Sequence, residues 1–288
     1  MLRRFSLICL FALVSLAHGQ ERIRDVIYAK AGGAAFTMDV FKPKTPNGAA
    51  IIFLVSGGWF SSHEQINAEL AQGLNTAGFT VFEVVHGSQP KYTIPEIGRQ
   101  ITRAVRFVHA NAATYGVDEN RLGLCGASAG GHLSLITAGR ADDGDPAAKD
   151  PVDRASSRVA AVVAYFPPTD FLNYGAAGVV PVNEGSLAIF RPAFGIPPNS
   201  TPQQVSDIAR ATSPIYTINP KFPPTLLIHG DADPLVPIQQ SESFRDALLK
   251  AGGVVELMVV KGGKHDQTTL TAGAPRLAAW FLEKLKKP

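Results

Sequence analysis

The sequence predicts an α/β fold with a mostly parallel β-sheet in a single domain. Short apolar segments alternate along the chain with stretches whose apolar residues recur every three or four positions. Most of these apolar segments are continuous, as expected for strands buried on both faces of a parallel sheet. The chain has 288 residues and is 45% hydrophobic and 18% charged. It can therefore bury a large core, which excludes a disordered protein.

The predicted elements follow one another in a regular order. Segments 24–29 and 34–41 flank Gly32-Gly33 and indicate a β-hairpin. Further strands are predicted at residues 49–55, 80–85, 121–125, 159–166, 225–229 and 254–260. Helical periodicity covers residues 97–112, 244–251 and 277–285. Because strands separated by helices are joined by right-handed crossovers, this order favours a mostly parallel sheet with helices on its faces.

The N-terminus has the pattern of a secretory signal. Two arginines precede the largely apolar run 7–16, and small residues follow in Ala17-His18-Gly19. The run is shorter than the roughly 20 residues that span a bilayer as a helix. These features predict a signal peptide over residues 1–19, a mature domain over residues 20–288, and a secreted or periplasmic protein with no stable membrane insertion after cleavage. Cleavage would leave Cys125 as the only cysteine, so no internal disulfide is expected.

The charge distribution excludes several classes of partner. Lys and Arg number 27 against 24 Asp and Glu, for a net charge of +3. No run of like charge reaches five residues. Neither a nucleic-acid partner nor a polybasic membrane anchor is therefore expected.

One segment breaks the alternation of strands and helices. Residues 173–224 are rich in Pro, Gly and isolated aromatic residues, with one helix predicted near residues 203–211. So long an irregular stretch inside a compact domain is usually a lid or a binding loop. The alternative is a surface excursion without a function.

A possible nucleophile lies between a buried strand and an apolar helix. The sequence G-A-S-A-G occupies residues 126–130. A serine on such a sharp strand-to-helix turn points its hydroxyl out of the sheet, and the flanking glycines let the backbones pass closely. The helix N-terminus favours negative charge where an oxyanion would form. The motif alone is a weak signal, and its position between strand and helix strengthens it.

A serine nucleophile needs a base, and the base needs an orienting acid. His265 comes just after the last predicted strand, and Asp233 comes just after the preceding one. The order Ser128, Asp233, His265, each at the carboxyl end of a strand, is the order of α/β-hydrolases. Asp231 is an alternative orienting acid.

The loop after the strand at 49–55 completes this arrangement. Its sequence, Ser56-Gly57-Gly58-Trp59, ends an apolar strand in a pair of glycines. In this fold such a loop supplies backbone N–H groups to an oxyanion hole, together with the residue after the nucleophile, Ala129. A simple glycine turn would give the same pattern.

These motifs together resemble the esterase branch of the α/β-hydrolase family. The resemblance rests on G-A-S-A-G-G-H at 126–132, S-G-G-W at 56–59 and H-G-D-A-D-P-L-V-P at 229–237, and it extends over about residues 26–285. That branch includes relatives of hormone-sensitive lipase and the acetyl-xylan and feruloyl esterases. The resemblance implies an eight-stranded, mostly parallel sheet flanked by helices, a small lid insertion, no cofactor and no metal.

The resemblance also implies a role for each candidate site residue. Ser128 would be the nucleophile, His265 the base and Asp233 the orienting acid. The oxyanion donors would be Gly58, Trp59 and Ala129.

The chain departs from the family pattern at two places. Ser56 stands where relatives commonly have His, which leaves Gly57 as an alternative to Trp59 among the oxyanion donors. Val85-His86-Gly87 stands where many relatives carry a Tyr-Arg pair.

Two other histidines are weaker candidates for a catalytic base. His229 lies at a strand end, where a packed, hydrogen-bonded role is favoured. His132 lies one helical turn beyond Ser128 and has no acid placed to orient it.

The sequence therefore predicts a secreted serine carboxylesterase that hydrolyses short-chain acyl esters. The expected substrate is a small-molecule or polysaccharide-linked ester, with acetyl or feruloyl esters of plant polysaccharide suggested by the resemblance. The alternatives are an amide-cleaving hydrolase of the same fold, formamidase-like or peptidase-like, and a non-catalytic binding protein on a hydrolase scaffold. No sequence feature predicts an oligomeric state.

Overall fold

A computed structural model describes residues 21–287, so the signal peptide predicted at residues 1–19 lies outside the described residues. Eight strands form one sheet in the order β1-β2-β4-β3-β5-β6-β7-β8. The strands are β1 (Glu21–Ala31), β2 (Ala34–Lys42), β3 (Ala50–Val55), β4 (Thr80–Val85), β5 (Leu122–Ala127), β6 (Ala161–Tyr165), β7 (Thr225–Gly230) and β8 (Val255–Val260). The β1–β2 and β2–β4 pairings are antiparallel, and the other pairings of the sheet are parallel. The predicted mostly parallel, eight-stranded sheet is confirmed.

Helices cover both faces of this sheet. They are α1 (Ala68–Thr76), α2 (Ile94–Ala110), α3 (Ala112–Tyr115), α4 (Ala129–Gly139), α5 (Arg191–Phe194), α6 (Pro202–Thr212), α7 (Gln239–Lys250) and α8 (Gln267–Lys284). Buried side chains of α2, α4 and α7 pack in one core, and those of α1 and α8 pack in the other. Successive strand residues point to opposite faces, so on β3 Ile52 and Leu54 join the first core and Ile51 joins the second.

The strand order places the sequence motifs at one edge of the sheet. Because β5, β7 and β8 run parallel, their carboxyl ends lie at the same edge. The candidate nucleophile follows β5 directly, and the loops after β7 and β8 carry the acid and the base. Ligand sites in open parallel sheets form at these carboxyl ends.

Segment 173–224 is packed onto the domain. The helix predicted near residues 203–211 is α6, and three short helical turns that the sequence analysis did not predict accompany it. Phe194 and Ala209 from this segment are buried in the first core. Among the described residues, no helix is long and apolar enough to cross a membrane.

Candidate active site

Ser128 occupies the sharp turn between β5 and α4. Its backbone has φ 54° and ψ −119°, which a residue with a side chain rarely adopts and which costs about 1–3 kcal/mol. The two motif glycines make the turn sterically feasible. A Cβ atom at Gly126 would lie 2.4 Å from the Gly130 carbonyl carbon, and one at Gly130 would lie 2.9 Å from the Leu54 carbonyl oxygen. The G-x-S-x-G spacing is therefore required by backbone contact on both sides of the serine.

Ser128, His265 and Asp233 form a continuous hydrogen-bonded chain. The Ser128 Oγ lies 2.8 Å from the His265 Nε2, and the His265 Nδ1 lies 2.7 Å from the Asp233 Oδ2. An ionised carboxylate only accepts hydrogen bonds, so the His265 Nδ1 carries a proton. The Nε2 lone pair then accepts the hydrogen bond from the serine hydroxyl, as removal of its proton requires.

The Asp233 carboxylate is fully buried and well satisfied. Its Oδ1 accepts hydrogen bonds from the backbone N–H groups of Leu235 and Val236, both at 2.9 Å. Burial alone would raise the pKa of Asp233. Hydrogen bonds from the His229 and His265 side chains and from the Val236 N–H outweigh that effect and hold the pKa well below its usual range. Asp233 is therefore ionised throughout the neutral range.

The alternative acid and base lie elsewhere. Asp231 accepts a hydrogen bond from the Gly262 N–H and pairs with the Lys261 ammonium, so it does not orient His265. His229 is buried, with its ring nitrogens on the Ser241 hydroxyl and the Val236 carbonyl, and its Nε2 lies 3.5 Å from the Asp233 Oδ2. The packed role predicted for His229 matches these contacts.

Residues 57–60, which we call the oxyanion turn, form a tight reversal after β3. The Gly57 N–H donates to the Phe60 carbonyl at 3.0 Å, and the Phe60 N–H donates to the Gly57 carbonyl at 2.9 Å. Gly58 (φ 56°) and Trp59 (φ 61°) occupy the left-handed region between them. The N–H groups of Gly58 and Trp59 make no hydrogen bond within the described part of the chain.

The turn decides between the two sets of oxyanion donors. Because the Gly57 N–H is already committed to Phe60, the suggestion that Gly57 replaces Trp59 is wrong. Ala129 is the first residue of α4, where a backbone N–H has no intrahelical acceptor. Gly58, Trp59 and Ala129 line one cavity of about 340 Å³ with Ser128 and His265. The structure therefore places these three residues around the same cavity as Ser128.

Trp59 is anchored through its side chain. The indole Nε1–H can only donate, and it lies 3.2 Å from the His132 Nδ1. The His132 Nε2 therefore carries the proton, which it donates to the Thr212 carbonyl at the end of α6, 2.7 Å away. Rings of Phe194, Phe190 and Phe171 enclose the indole, with centroids 5.3, 5.7 and 6.2 Å away.

His132 thus has a structural role, and the histidine that contacts the Ser128 hydroxyl is His265. Burial lowers the pKa of His132 to about 4, so its imidazole is neutral at physiological pH. A neutral imidazole has one nitrogen that accepts and one that donates, and both are used here. The Nδ1 accepts from Trp59, and the Nε2 donates to Thr212. Through them His132 joins the oxyanion turn to segment 173–224.

Apolar residues form most of the remaining walls of the cavity. Segment 173–224 contributes Leu187 and Phe190, which supports its prediction as a lid or binding loop. The ring of Phe190 lies so close to the oxyanion turn that a Cβ atom at Gly58 would come within 2.6 Å of it. Pro168 and Val236 line the cavity from other loops, and Leu270 lines it from α8. The site is a small, mostly apolar chamber with a few convergent polar groups, as ligand sites generally are.

Sequence reasoning missed Phe166 as a residue of the site. Its ring centroid lies 4.3 Å from that of His265, at an interplanar angle of 49°. It follows β6 directly with φ 34°, an uncommon conformation for a bulky residue. The only signal in the sequence is an aromatic residue between a strand and Pro167-Pro168. Phe166 holds the imidazole from one face.

A second, larger cleft has no serine, threonine or cysteine in its lining within residues 21–287. It measures about 720 Å³ and lies between the β1–β2 hairpin and α2. Its Arg103 is paired with Asp150 and Asp153. Among the described residues, no cluster of three or more His, Cys, Asp or Glu side chains could hold a metal ion.

Comparison with known proteins assigns the chain to a family. The model of the family described as BD-FAE matches residues 38–248. The chain belongs to the BD-FAE family. Esterase LipQ of Mycobacterium tuberculosis is 28% identical over 233 residues, which cover 79% of this chain and 53% of LipQ. Isoprenylcysteine alpha-carbonyl methylesterase ICME of Arabidopsis thaliana is 24% identical, over 79% of this chain and 53% of that protein.

A solved structure shares the fold of this chain. A structure described as a truncated form of carbohydrate esterase from gut microbiota superposes with a TM-score of 0.76 at 25% identity, covering 93% of this chain and 97% of that one. The α/β-hydrolase fold that the motifs predict is thereby confirmed. This chain spans about half the length of the curated relatives it matches.

Proposed function

We propose that this BD-FAE protein is a serine carboxylesterase that hydrolyses short-chain acyl esters through an acyl-enzyme. One observation carries the proposal. The hydrogen-bonded chain from Asp233 through His265 to Ser128 ends in a cavity that also contains the free N–H groups of Gly58 and Trp59. A nucleophile, its base and electrophilic donors thus surround one position for an ester carbonyl.

The geometry supports a two-step reaction. The His265 Nε2 removes the Ser128 proton as the Oγ attacks the ester carbonyl carbon, and Asp233 stabilises the imidazolium that forms. The carbonyl oxygen becomes an oxyanion, which the N–H groups of Gly58, Trp59 and Ala129 stabilise, each contributing about 2.7–4 kcal/mol. The imidazolium then protonates the leaving alcohol. Water repeats the attack on the acyl-enzyme and releases the acid.

The size of the cavity supports a short acyl group. A volume of about 340 Å³ lies near the lower end of the range of ligand sites. Phe190 and Leu187 close the cavity on the side of segment 173–224. We further propose that the ester is carried by a polysaccharide, as an acetyl or feruloyl group, and that the protein acts after secretion or in the periplasm. The likeness to a carbohydrate esterase structure and the signal-like residues 1–19 support these two points.

The test is hydrolysis of p-nitrophenyl acetate, butyrate and octanoate by the protein beginning at Gln20. The Ser128→Ala variant is assayed beside it. Ser134→Ala is the matched control, because Ser134 is a buried serine on α4, the helix that follows Ser128. Its hydroxyl donates to the Gly130 carbonyl. We expect activity that falls from acetate to octanoate, disappears in Ser128→Ala and survives in Ser134→Ala.

Two results would overturn the proposal. If the protein and Ser128→Ala were equally inactive on every ester, and a serine-directed phosphonate gave no adduct at Ser128, the serine esterase mechanism would be wrong. If octanoate were hydrolysed best, the short-chain preference would be wrong. For the polysaccharide step, release of acetate from acetylated xylan and of ferulate from feruloylated arabinoxylan should be compared directly. Release of neither acid would rule out that substrate class.

A further inference from the structure

The segment that follows β4 lies directly against the oxyanion turn. Gln89 is buried, and its side-chain Nε2 donates a hydrogen bond to the Gly58 carbonyl at 2.7 Å. Its backbone N–H donates to the Trp59 carbonyl at 3.2 Å. Next to it, the Ser88 hydroxyl accepts from the Ser61 N–H and donates to the Ser61 carbonyl, both at 2.9 Å. Gln89 therefore holds two carbonyl groups of the turn, and Ser88 holds the residue that follows it.

Because the peptide group is planar, the contact of Gln89 with the Gly58 carbonyl also sets the direction of the Trp59 N–H. In a trans peptide, the carbonyl of one residue and the N–H of the next point in opposite directions. Holding the Gly58 carbonyl toward Gln89 therefore directs the Trp59 N–H to the opposite side of the turn. The neighbouring Gly58 N–H is directed in the same way by a backbone contact, because the Gly57 carbonyl accepts from the Phe60 N–H. Of these two peptides, only the one bearing the Trp59 N–H is held by a side chain.

The turn depends on such external contacts. Trp59 has φ 61°, a conformation uncommon for a bulky residue. His132 and the surrounding phenylalanine rings anchor its indole, and neither supplies a hydrogen bond to the Gly58 carbonyl. The Gln89 carboxamide does so through a partly buried hydrogen bond. Without it, no side chain among the described residues would hold the peptide between Gly58 and Trp59.

We propose that Gln89 is a positioning residue for the oxyanion hole, acting on the Trp59 N–H through the Gly58 carbonyl. Gln89 touches none of the reacting atoms. The inference rests on the proposed function, since it concerns the stabilisation of an oxyanion formed at Ser128. It predicts that the carboxamide contributes to the transition state more than to substrate binding.

The decisive variant is Gln89→Met, which retains the length of the side chain and removes its donor. Deleting an oxyanion donor outright costs about 10²–10³ in kcat, so misorienting one is expected to cost about 10–100-fold. The concentration of active enzyme is first measured by phosphonate titration of Ser128, and kcat is expressed per titrated site. We expect this loss in kcat with KM changed by no more than about threefold. The Ki of a short alkyl trifluoromethyl ketone, which binds as a hemiketal oxyanion, should rise by the same factor as kcat/KM falls.

Two further variants separate positioning from general stability. Gln240 is also a buried glutamine that holds backbone groups, accepting from the N–H groups of Thr169 and Asp170. Gln240→Met is expected to lower the melting temperature without changing kcat per titrated site by more than about twofold. Gln89→Glu should lose more activity than Gln89→Met, because a carboxylate facing the Gly58 carbonyl repels it.

The outcomes distinguish this inference from the proposed function. Ester hydrolysis and a Ser128 adduct in the unaltered protein, with Gln89→Met equal to it in kcat per titrated site, would overturn the role of Gln89 alone. The same conclusion would follow if Gln89→Met had fewer titratable Ser128 sites but an unchanged kcat per site. It would also follow if Gln240→Met lost as much kcat per titrated site as Gln89→Met. An unaltered protein with neither hydrolysis nor adduct would overturn both proposals.

Discussion

Replacing Asp233 by asparagine should disable His265 while leaving the fold intact. The Oδ1 of Asp233 accepts two backbone N–H groups, from Leu235 and Val236, and the Oδ2 accepts the His265 Nδ1–H. An asparagine oxygen must stay at the Oδ1 position, because an amide NH₂ there would face two donors. The NH₂ group then faces the His265 Nδ1, which can only accept from it.

This placement of the asparagine NH₂ group fixes the wrong tautomer of His265. With the Nδ1 accepting, the proton moves to the Nε2 and points at the Ser128 Oγ, so the imidazole can no longer take the serine proton. Corresponding substitutions in serine proteases lower kcat by about 10⁴, which equals roughly 5 kcal/mol in the barrier. Because both Oδ1 contacts are retained, we expect the variant to fold. It loses the stabilisation that the ionised Asp233 contributes at neutral pH, so its melting temperature should be lower than that of the unaltered protein.

The assay is hydrolysis of p-nitrophenyl acetate at pH 8, with melting temperatures measured in parallel. Asp231→Asn is the matched control, since Asp231 lies two residues away and bonds to Gly262 and Lys261 instead of His265. It should retain kcat within about twofold, as surface substitutions usually do. A loss of less than about tenfold in Asp233→Asn, or a greater loss in Asp231→Asn, would refute the assignment of the orienting acid.

Two further predictions concern the cavity wall and a buried carboxyl group. Phe190→Ala should raise the kcat/KM ratio of octanoate to acetate at least about tenfold, since each buried methylene contributes about 0.8 kcal/mol; an unchanged ratio would place the acyl chain elsewhere. Burial raises the pKa of Glu83 from 4.5 to about 7, so Glu83 favours folding below pH 4.5 and loses that contribution as pH rises through 7. Glu83→Gln should therefore melt several degrees above the unaltered protein at pH 8 and close to it at pH 5; parallel pH profiles would contradict this.

The larger features of the fold were predictable because they depend on local pattern. Continuous apolar segments mark strands buried on both faces, and the Ile97, Ile101 and Val105 spacing marks the buried stripe of α2. The G-x-S-x-G spacing follows from the close approach of the Gly126 backbone to Gly130 and of Gly130 to Leu54. The order of Ser128, Asp233 and His265 after their strands was readable because parallel strands bring their carboxyl ends to one edge.

The internal arrangement of segment 173–224 could not be predicted from the sequence in the same way. Its short helical turns lack the periodicity of longer helices, and only α6 has a clear amphipathic pattern. The position of Phe190 over the oxyanion turn comes from packing against Trp59 and Gly58. Such contacts join parts of the chain that no sequence spacing relates.

By itself, the sequence determined the fold family and pointed to the candidate serine, acid and base, because each depends on a short motif placed at the end of a strand. Only the tertiary structure decided which N–H groups of the oxyanion turn are free, since Gly57 and Phe60 bond to each other. It also revealed the contacts of Trp59 with His132, 73 residues away, and of Gly58 with Gln89, 31 residues away. Hydrogen bonds over such separations depend on how the whole chain packs, and their direction is set by side chains that local pattern does not constrain.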